Sequence, residues 1–98
     1  MSRNSIEKKV YLDYNATTPV DPDVLETMLP FFKEHYGNPS SLHQWGRKAR
    51  EAVEQARVIV ADALNARESE IYFVSGGTEA DNLVIQGVMF QNRQKGNH

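Results

Sequence analysis

A continuous apolar run that ends at a pair of glycines restricts the fold of this 98-residue chain more than any other feature. Residues 71–74 have the sequence Ile-Tyr-Phe-Val, which is typical of a strand buried on both faces of a parallel sheet. Gly76 and Gly77 interrupt the run, and residues 79–95 have the spacing of a helix that Gly96 stops. Strand, glycine turn and helix, following earlier helices, predict an α/β protein. The positions expected to face inward on this last helix are Leu83, Val84, Val88 and Phe90.

Two helical segments are predicted before that strand. Asp21 followed by Pro22 is a typical helix start, because the carboxylate accepts from free N–H groups and proline fits the first helical position. Pro30 is expected to kink or end this helix. Apolar residues three or four positions apart predict a longer helix over residues 41–65, with Ser41 as its cap.

The predicted strand lacks a good neighbour within the chain. Residues 10–12, Val-Tyr-Leu, form only a short β-type run, and a lone strand leaves backbone donors and acceptors unpaired. The chain also closes on a helix, at the point where an α/β fold returns to its next strand. We therefore expect these residues to be the N-terminal part of a longer protein, or a truncated product.

Composition narrows the class of protein. Eleven basic and thirteen acidic side chains give a formal charge of −2, which argues against a nucleic-acid-binding protein. The lack of cysteine excludes a disulfide scaffold and a thiol nucleophile within these residues, and the scattered histidines lack the spacing of a metal site. No apolar run approaches the roughly 20 residues that span a bilayer, and the start lacks the apolar stretch of a signal peptide, so a cytoplasmic protein is expected.

The glycine turn is the candidate site of chemistry. Backbone N–H groups at a helix N-terminus carry partial positive charge, and glycines let a ligand approach them closely. Thr78 adds a hydroxyl that can donate to a phosphate oxygen. The turn matches neither a Walker loop nor the G-x-G-x-x-G pattern. Spacing alone leaves two interpretations, a phosphate-binding corner and an ordinary strand-to-helix turn.

Three longer motifs occur in order along the chain. Residues 11–22 are Tyr-Leu-Asp-Tyr-Asn-Ala-Thr-Thr-Pro-Val-Asp-Pro, residues 37–43 are Gly-Asn-Pro-Ser-Ser-Leu-His, and residues 75–83 are Ser-Gly-Gly-Thr-Glu-Ala-Asp-Asn-Leu. Together they resemble the cysteine desulfurases of the nitrogen-fixation and iron–sulfur-cluster type, which are class V aminotransferases. The resemblance covers nearly all of this chain but only the N-terminal portion of a family member.

The resemblance implies a fold and an activity. The fold is the fold-type-I architecture of pyridoxal phosphate enzymes, a mostly parallel sheet with flanking helices that is incomplete in this chain. Residues 1–20 would belong to the small domain, and residues 21–98 would begin the large cofactor domain. Family members are homodimers that convert L-cysteine to L-alanine and hold the sulfur as a persulfide. A sulfur-acceptor or scaffold protein then receives it for iron–sulfur cluster assembly or thiolation.

The resemblance also assigns site residues. By position in the third motif, Gly77 and Thr78 contact the phosphate of pyridoxal 5′-phosphate. Asn15, Ala16 and Thr17 of the first motif lie near the substrate. Within the second motif, the segment from Asn38 to His43 lies near the active-site mouth and the dimer region.

The family's catalytic residues are absent from this chain. Its Schiff-base lysine and its catalytic cysteine both lie beyond residue 98, so no catalytic residue is assigned and the chain alone is expected to be inactive. Two alternatives remain. One is another class V enzyme, similar to a selenocysteine lyase or a kynureninase, and the other is a non-catalytic interaction module that binds partners through the helix carrying Trp45.

Overall fold

A computed structural model describes residues 7–96, so the predicted small-domain segment, residues 1–20, lies partly outside the described residues. Within that range the chain is helical, and no residue is assigned to a β-strand. It divides into two compact units that meet in sequence between Arg50 and Glu51. No helix in the described range has the length and apolar character to cross a bilayer. The elements are α1 (Pro22–Met28), α2 (Pro30–Lys33), α3 (Gln44–Leu64), a 3-10 turn (Glu68–Glu70) and α4 (Gly77–Gln91).

The predicted start and interruption of the first helix are confirmed. The Asp21 carboxylate accepts from the Asp23 N–H at 2.8 Å, and Pro22 occupies the first helical position of α1. α1 ends at Met28, and Pro30 opens α2. The helix is interrupted there because proline has no N–H to continue the helical hydrogen-bond pattern.

The start of α3 differs from the prediction. Ser41 was expected to be its cap, but its N–H donates to the Asn38 carbonyl at 2.9 Å and the helix starts three residues later, at Gln44. The helix begins only after His43, whose ring Nδ1 accepts from the Gly46 N–H at 3.3 Å. The prediction of Ser41 was wrong because an imidazole nitrogen performs the capping role that serine usually takes.

The end of α3 agrees with the sequence. Leu64 is its last residue, and Asn65 follows with a φ of 52°, in the left-handed region that asparagine tolerates better than most residues. The Ala66 N–H then donates to the Ala61 carbonyl at 2.9 Å. This bond satisfies a carbonyl that the helix end would otherwise leave free.

The predicted strands do not form within the described residues. Ile71 has an extended backbone, with φ −102° and ψ 126°, but no neighbouring chain segment pairs with residues 71–74 or residues 10–12. Tyr72 is 73% exposed and Phe73 is 50% exposed, so burial on both faces is also wrong for this range. The reason is physical: an extended segment becomes a strand only through hydrogen bonds to another segment.

α4 is confirmed as a helix, with shifted ends and an exposed apolar surface. It starts at Gly77 and ends at Gln91 rather than Lys95, and both the backbone N–H and the side-chain amide of Asn92 donate to the Val88 carbonyl at this end. The positions predicted to face inward are exposed among the described residues. Their exposed fractions are 52% for Leu83, 61% for Val84, 56% for Val88 and 69% for Phe90.

The described core is small. Ala49 and Ala61, both on α3, are the only buried apolar side chains in residues 7–96. Gly46 is also buried, and a Cβ at this position would overlap the Ser41 carbonyl oxygen. Small residues on α3 therefore set how closely the neighbouring chain packs against this helix.

Candidate functional site

The glycine turn leads directly into the N-terminus of α4. Gly76 is extended, with φ 169° and ψ −176°, and its carbonyl accepts the first helical bond, from the Ala80 N–H at 3.1 Å. The N–H groups of Gly77 and Thr78 precede that bond and have no acceptor among the described residues. The Glu79 N–H also has no acceptor in the described range, so three free donors lie at the positive end of a 15-residue helix.

The space beside these glycines is open. A Cβ built on Gly76 or Gly77 would meet no atom within 4 Å in the described part of the chain. By contrast, a Cβ on Gly37 would overlap the Trp45 carbonyl oxygen. The glycines of the turn are therefore not required for packing within this chain, and open space leaves room for a ligand beside the backbone.

Glu79 holds Ser75, the residue just before the two glycines, in place. Its Oε2 accepts from the Ser75 hydroxyl and, at 2.8 Å, from the Ser75 N–H. These bonds, the hydroxyl first, lower the pKa of the Glu79 carboxyl below its usual value. Ser75 is thus satisfied by the chain itself, and the donors left for a ligand are the first N–H groups of α4, which include those of Gly77 and Thr78.

Sequence reasoning did not find the Glu79 contact. It resembles a capping box, in which a carboxylate in the first turn reaches back to the residue before the helix. Here the carboxylate reaches one residue further, to the N–H and hydroxyl of Ser75. A serine four positions before a glutamate at a helix start is the signal that could have indicated it.

Arg57 on α3 holds the extended segment that precedes the turn. Its guanidinium donates to the Ile71 carbonyl and lies 5.0 Å from the centre of the Phe73 ring. Its Nε lies 3.1 Å from the Glu54 carboxylate. This anchor was also missed by sequence reasoning, since nothing in the spacing of residues 57 and 71 indicates that they are in contact.

The three residues implied to lie near the substrate form one turn. The N–H groups of Ala16 and Thr17 approach the Asp13 carbonyl at 3.0 and 3.4 Å, and Asn15 lies within the same turn. The Tyr11 hydroxyl is 3.1 Å from the carbonyl oxygens of Asp13 and Thr17. All three predicted residues are exposed.

The second motif forms a turn and one wall of a groove of about 550 Å³. His43 and Trp45 meet edge to face there, with ring centres 6.0 Å apart. Because Nδ1 of His43 accepts a backbone bond, its neutral ring carries the proton on Nε2. No group of three or more potential metal ligands occurs among the described residues. The groove is lined by Tyr36, Gly37, Asn38, Ser41, His43 and Trp45.

Known proteins match almost the whole chain. The cysteine desulfurase IscS of Clostridium botulinum (strain Hall) is 55% identical over 93 residues, which cover 95% of this chain and 23% of that protein. The cysteine desulfurase IscS of Methanosarcina thermophila is 54% identical over 91 residues, covering 93% of this chain and 22% of that protein. A solved structure of a NifS-like protein superimposes with a TM-score of 0.82 at 44% identity, covering 89% of this chain and 24% of that chain.

These matches confirm the resemblance drawn from the three motifs. The chain spans less than a quarter of the length of the relatives just described. The profile of the aminotransferase class-V family matches residues 10–98, which is nearly the entire sequence. The chain therefore belongs to the class-V aminotransferase family.

Proposed function

We propose that this chain is the N-terminal part of a cysteine desulfurase that uses pyridoxal 5′-phosphate. The full-length enzyme would convert L-cysteine to L-alanine and hold the sulfur as a persulfide for iron–sulfur cluster assembly or thiolation. The names of relatives at 54–55% identity support this assignment. Because the chain spans 23% of such a relative, the activity is proposed for the full-length protein, of which this chain supplies one corner of the site.

The exposed apolar surface supports a place in a larger α/β domain. A helix that is apolar around its circumference is stable only when other elements cover it, and α4 has exposed apolar side chains on several sides. Residues 71–74 are apolar as well, and their side chains Tyr72 and Phe73 are exposed. In the full-length enzyme, residues 21–98 would begin the large cofactor domain and residues 1–20 would belong to the small domain.

The donors at the start of α4 fit the cofactor's phosphate. The N–H groups of Gly77 and Thr78, with the Thr78 hydroxyl, offer hydrogen bonds to an anion at the positive end of the helix. Gly77 has no Cβ of its own, and the space where one would lie is open to an approaching phosphate. Pyridoxal phosphate, when bound, supplies the electron sink for bond breaking at the substrate. This chain's contribution is to hold the phosphate and so to orient the ring.

The remaining assignments belong to the full-length protein. Asn15, Ala16 and Thr17 would lie near the bound L-cysteine, on a turn that Tyr11 stabilises through its hydroxyl. A homodimer, a sulfur-acceptor or scaffold protein and a cytoplasmic location are proposed with the activity. They are supported by the desulfurase resemblance and by the names of the relatives.

The observation that carries the phosphate assignment is the pair of unpartnered N–H groups at an open glycine. Thr78→Val in the full-length protein tests the further donor proposed beside them, the Thr78 hydroxyl, with Thr78→Ser as the matched control because serine keeps the hydroxyl. Loss of a hydrogen bond to a charged group should weaken cofactor binding by about 1–3 kcal/mol in the valine variant. The serine variant should bind as the wild type does, as measured by equilibrium dialysis.

Unchanged cofactor affinity in Thr78→Val would contradict the phosphate assignment. The reaction itself is tested by alanine release from L-cysteine by the full-length protein. Release of alanine only from selenocysteine, or cleavage of kynurenine instead, would favour another class V activity.

A further inference from the structure

The segment that leads into the phosphate corner is held mainly by one side chain. Residues 71–74 begin with the extended Ile71 and make no strand pairing within the described range. Arg57 supplies one of the hydrogen bonds that a neighbouring strand would otherwise provide, because its guanidinium donates to the Ile71 carbonyl. This bond joins α3 to a segment that ends three residues before Gly77.

The Arg57 side chain is only 23% exposed and makes several polar contacts. One terminal nitrogen bonds Ile71, while Nε and the other terminal nitrogen point to the Glu54 carboxylate at 3.1 and 3.4 Å. The guanidinium also lies over the Phe73 ring at 5.0 Å. A planar group held by an acid one turn earlier on the same helix has little freedom to move.

These contacts fix two alternate positions of the segment, residues 71 and 73. Ile71 is held through its backbone and Phe73 through its ring, so the chain direction is set before it enters the glycine turn. On the other side of the turn, Glu79 holds Ser75. Gly76 and Gly77 have no side chains of their own to restrain them, so the placement of the free N–H groups depends on these flanking anchors.

We propose that Arg57 is a positioning residue for the cofactor's phosphate, acting through residues 71–74 on the N–H groups of Gly77 and Thr78. This inference rests on the proposed function. Arg57 itself does not contact the phosphate in this proposal. Its loss lets the segment shift relative to α3, and the donors at the start of α4 then lose their alignment.

The test compares two ligands on the full-length apoprotein. Pyridoxal 5′-phosphate carries the phosphate, whereas pyridoxal lacks it, so the ratio of their dissociation constants reports on the phosphate corner alone. Arg57→Gln should raise the dissociation constant for pyridoxal 5′-phosphate about tenfold and that for pyridoxal less than about twofold. Arg47→Gln is the matched control, since Arg47 lies on the same helix and makes no side-chain hydrogen bond or ion pair among the described residues.

A merely structural role of Arg57 gives a different pattern. A general loosening of the fold weakens the binding of pyridoxal 5′-phosphate and of pyridoxal equally, so the ratio of their dissociation constants stays unchanged. That result would overturn the proposal. Phe73→Leu keeps an apolar side chain but removes the ring, and should raise the same ratio about two- to fivefold. It also keeps the test usable if Arg57→Gln does not fold, since an unchanged ratio in Phe73→Leu contradicts the proposal too.

Thr78→Val separates failure of this inference from failure of the proposed function. If Thr78→Val raises the ratio and Arg57→Gln does not, only the role of Arg57 is wrong. If neither variant changes the ratio, the phosphate does not bind at this corner and both proposals fall.

Discussion

Gly77→Ala distinguishes a glycine kept for a ligand from one kept for packing. In the described residues a Cβ at Gly77 would meet nothing within 4 Å, and Gly77 is the first residue of α4. Alanine is the better helix former by up to about 1 kcal/mol, so the substitution should leave the stability of the apoprotein unchanged or raise it by up to that amount.

The same substitution should weaken cofactor binding. The added methyl group would stand where the proposed phosphate approaches the Gly77 N–H, and at least one hydrogen bond to a charged group would be lost. Such a bond contributes about 1.5–3 kcal/mol. This corresponds to an increase of roughly 10- to 150-fold in the dissociation constant of pyridoxal 5′-phosphate.

Both quantities can be measured on the full-length protein. Urea unfolding of the apoprotein gives the stability, and equilibrium dialysis gives the affinity. Gly87→Ala is a matched control, because it adds the same methyl group to the same helix, also with nothing within 4 Å, and should leave the affinity unchanged. An unchanged affinity in Gly77→Ala, or a loss of stability as large as the loss of affinity, would refute the reasoning.

The remaining predictions concern packing and pH. Gly46→Ala should destabilise the full-length protein by about 1–3 kcal/mol in urea unfolding, because the new Cβ overlaps the Ser41 carbonyl oxygen; unchanged stability would show that this backbone can move aside. Since the Ser75 hydroxyl and N–H lower the pKa of Glu79, their stabilising contribution is present above the ordinary glutamate pKa and is lost as pH falls through the lowered value. The stability difference between wild type and Glu79→Gln should therefore shrink over that range of pH, and a constant difference would contradict the assignment.

Features that depend on adjacent residues could be predicted from the sequence. Three helix boundaries follow from side chains that act on their own backbone. They are the cap at Asp21, the interruption at Pro30 and the end of α3 near Asn65. The donors at the start of α4 belong to this group as well, since any helix leaves its first N–H groups free. The order of the helices was therefore available from the sequence.

Features that depend on distant partners could not be predicted. Residues 71–74 have the composition of a buried strand, but a strand needs a neighbouring segment, and none pairs with them in the described range. The apolar pattern of α4 likewise predicts a buried helix, but no other described residues cover its apolar side chains. His43 rather than Ser41 caps α3 because the His43 ring nitrogen accepts from the Gly46 N–H, and histidine is not among the residues usually expected to cap a helix.

The two contacts that flank the glycine turn explain how an unpaired segment can still present donors in a fixed direction. Arg57 holds the chain before the turn to α3, and Glu79 holds Ser75 to the first turn of α4. In both contacts a charged side chain forms hydrogen bonds with a neutral backbone or hydroxyl group, and such hydrogen bonds are stronger than those between two neutral groups. The Glu79 carboxylate also adds a negative charge near the proposed phosphate, but its hydrogen bonds are to Ser75, so it leaves the N–H groups of Gly77 and Thr78 available. Anchoring the turn and binding the anion are thus assigned to different donors, and this division is what allows each to be tested by a separate substitution.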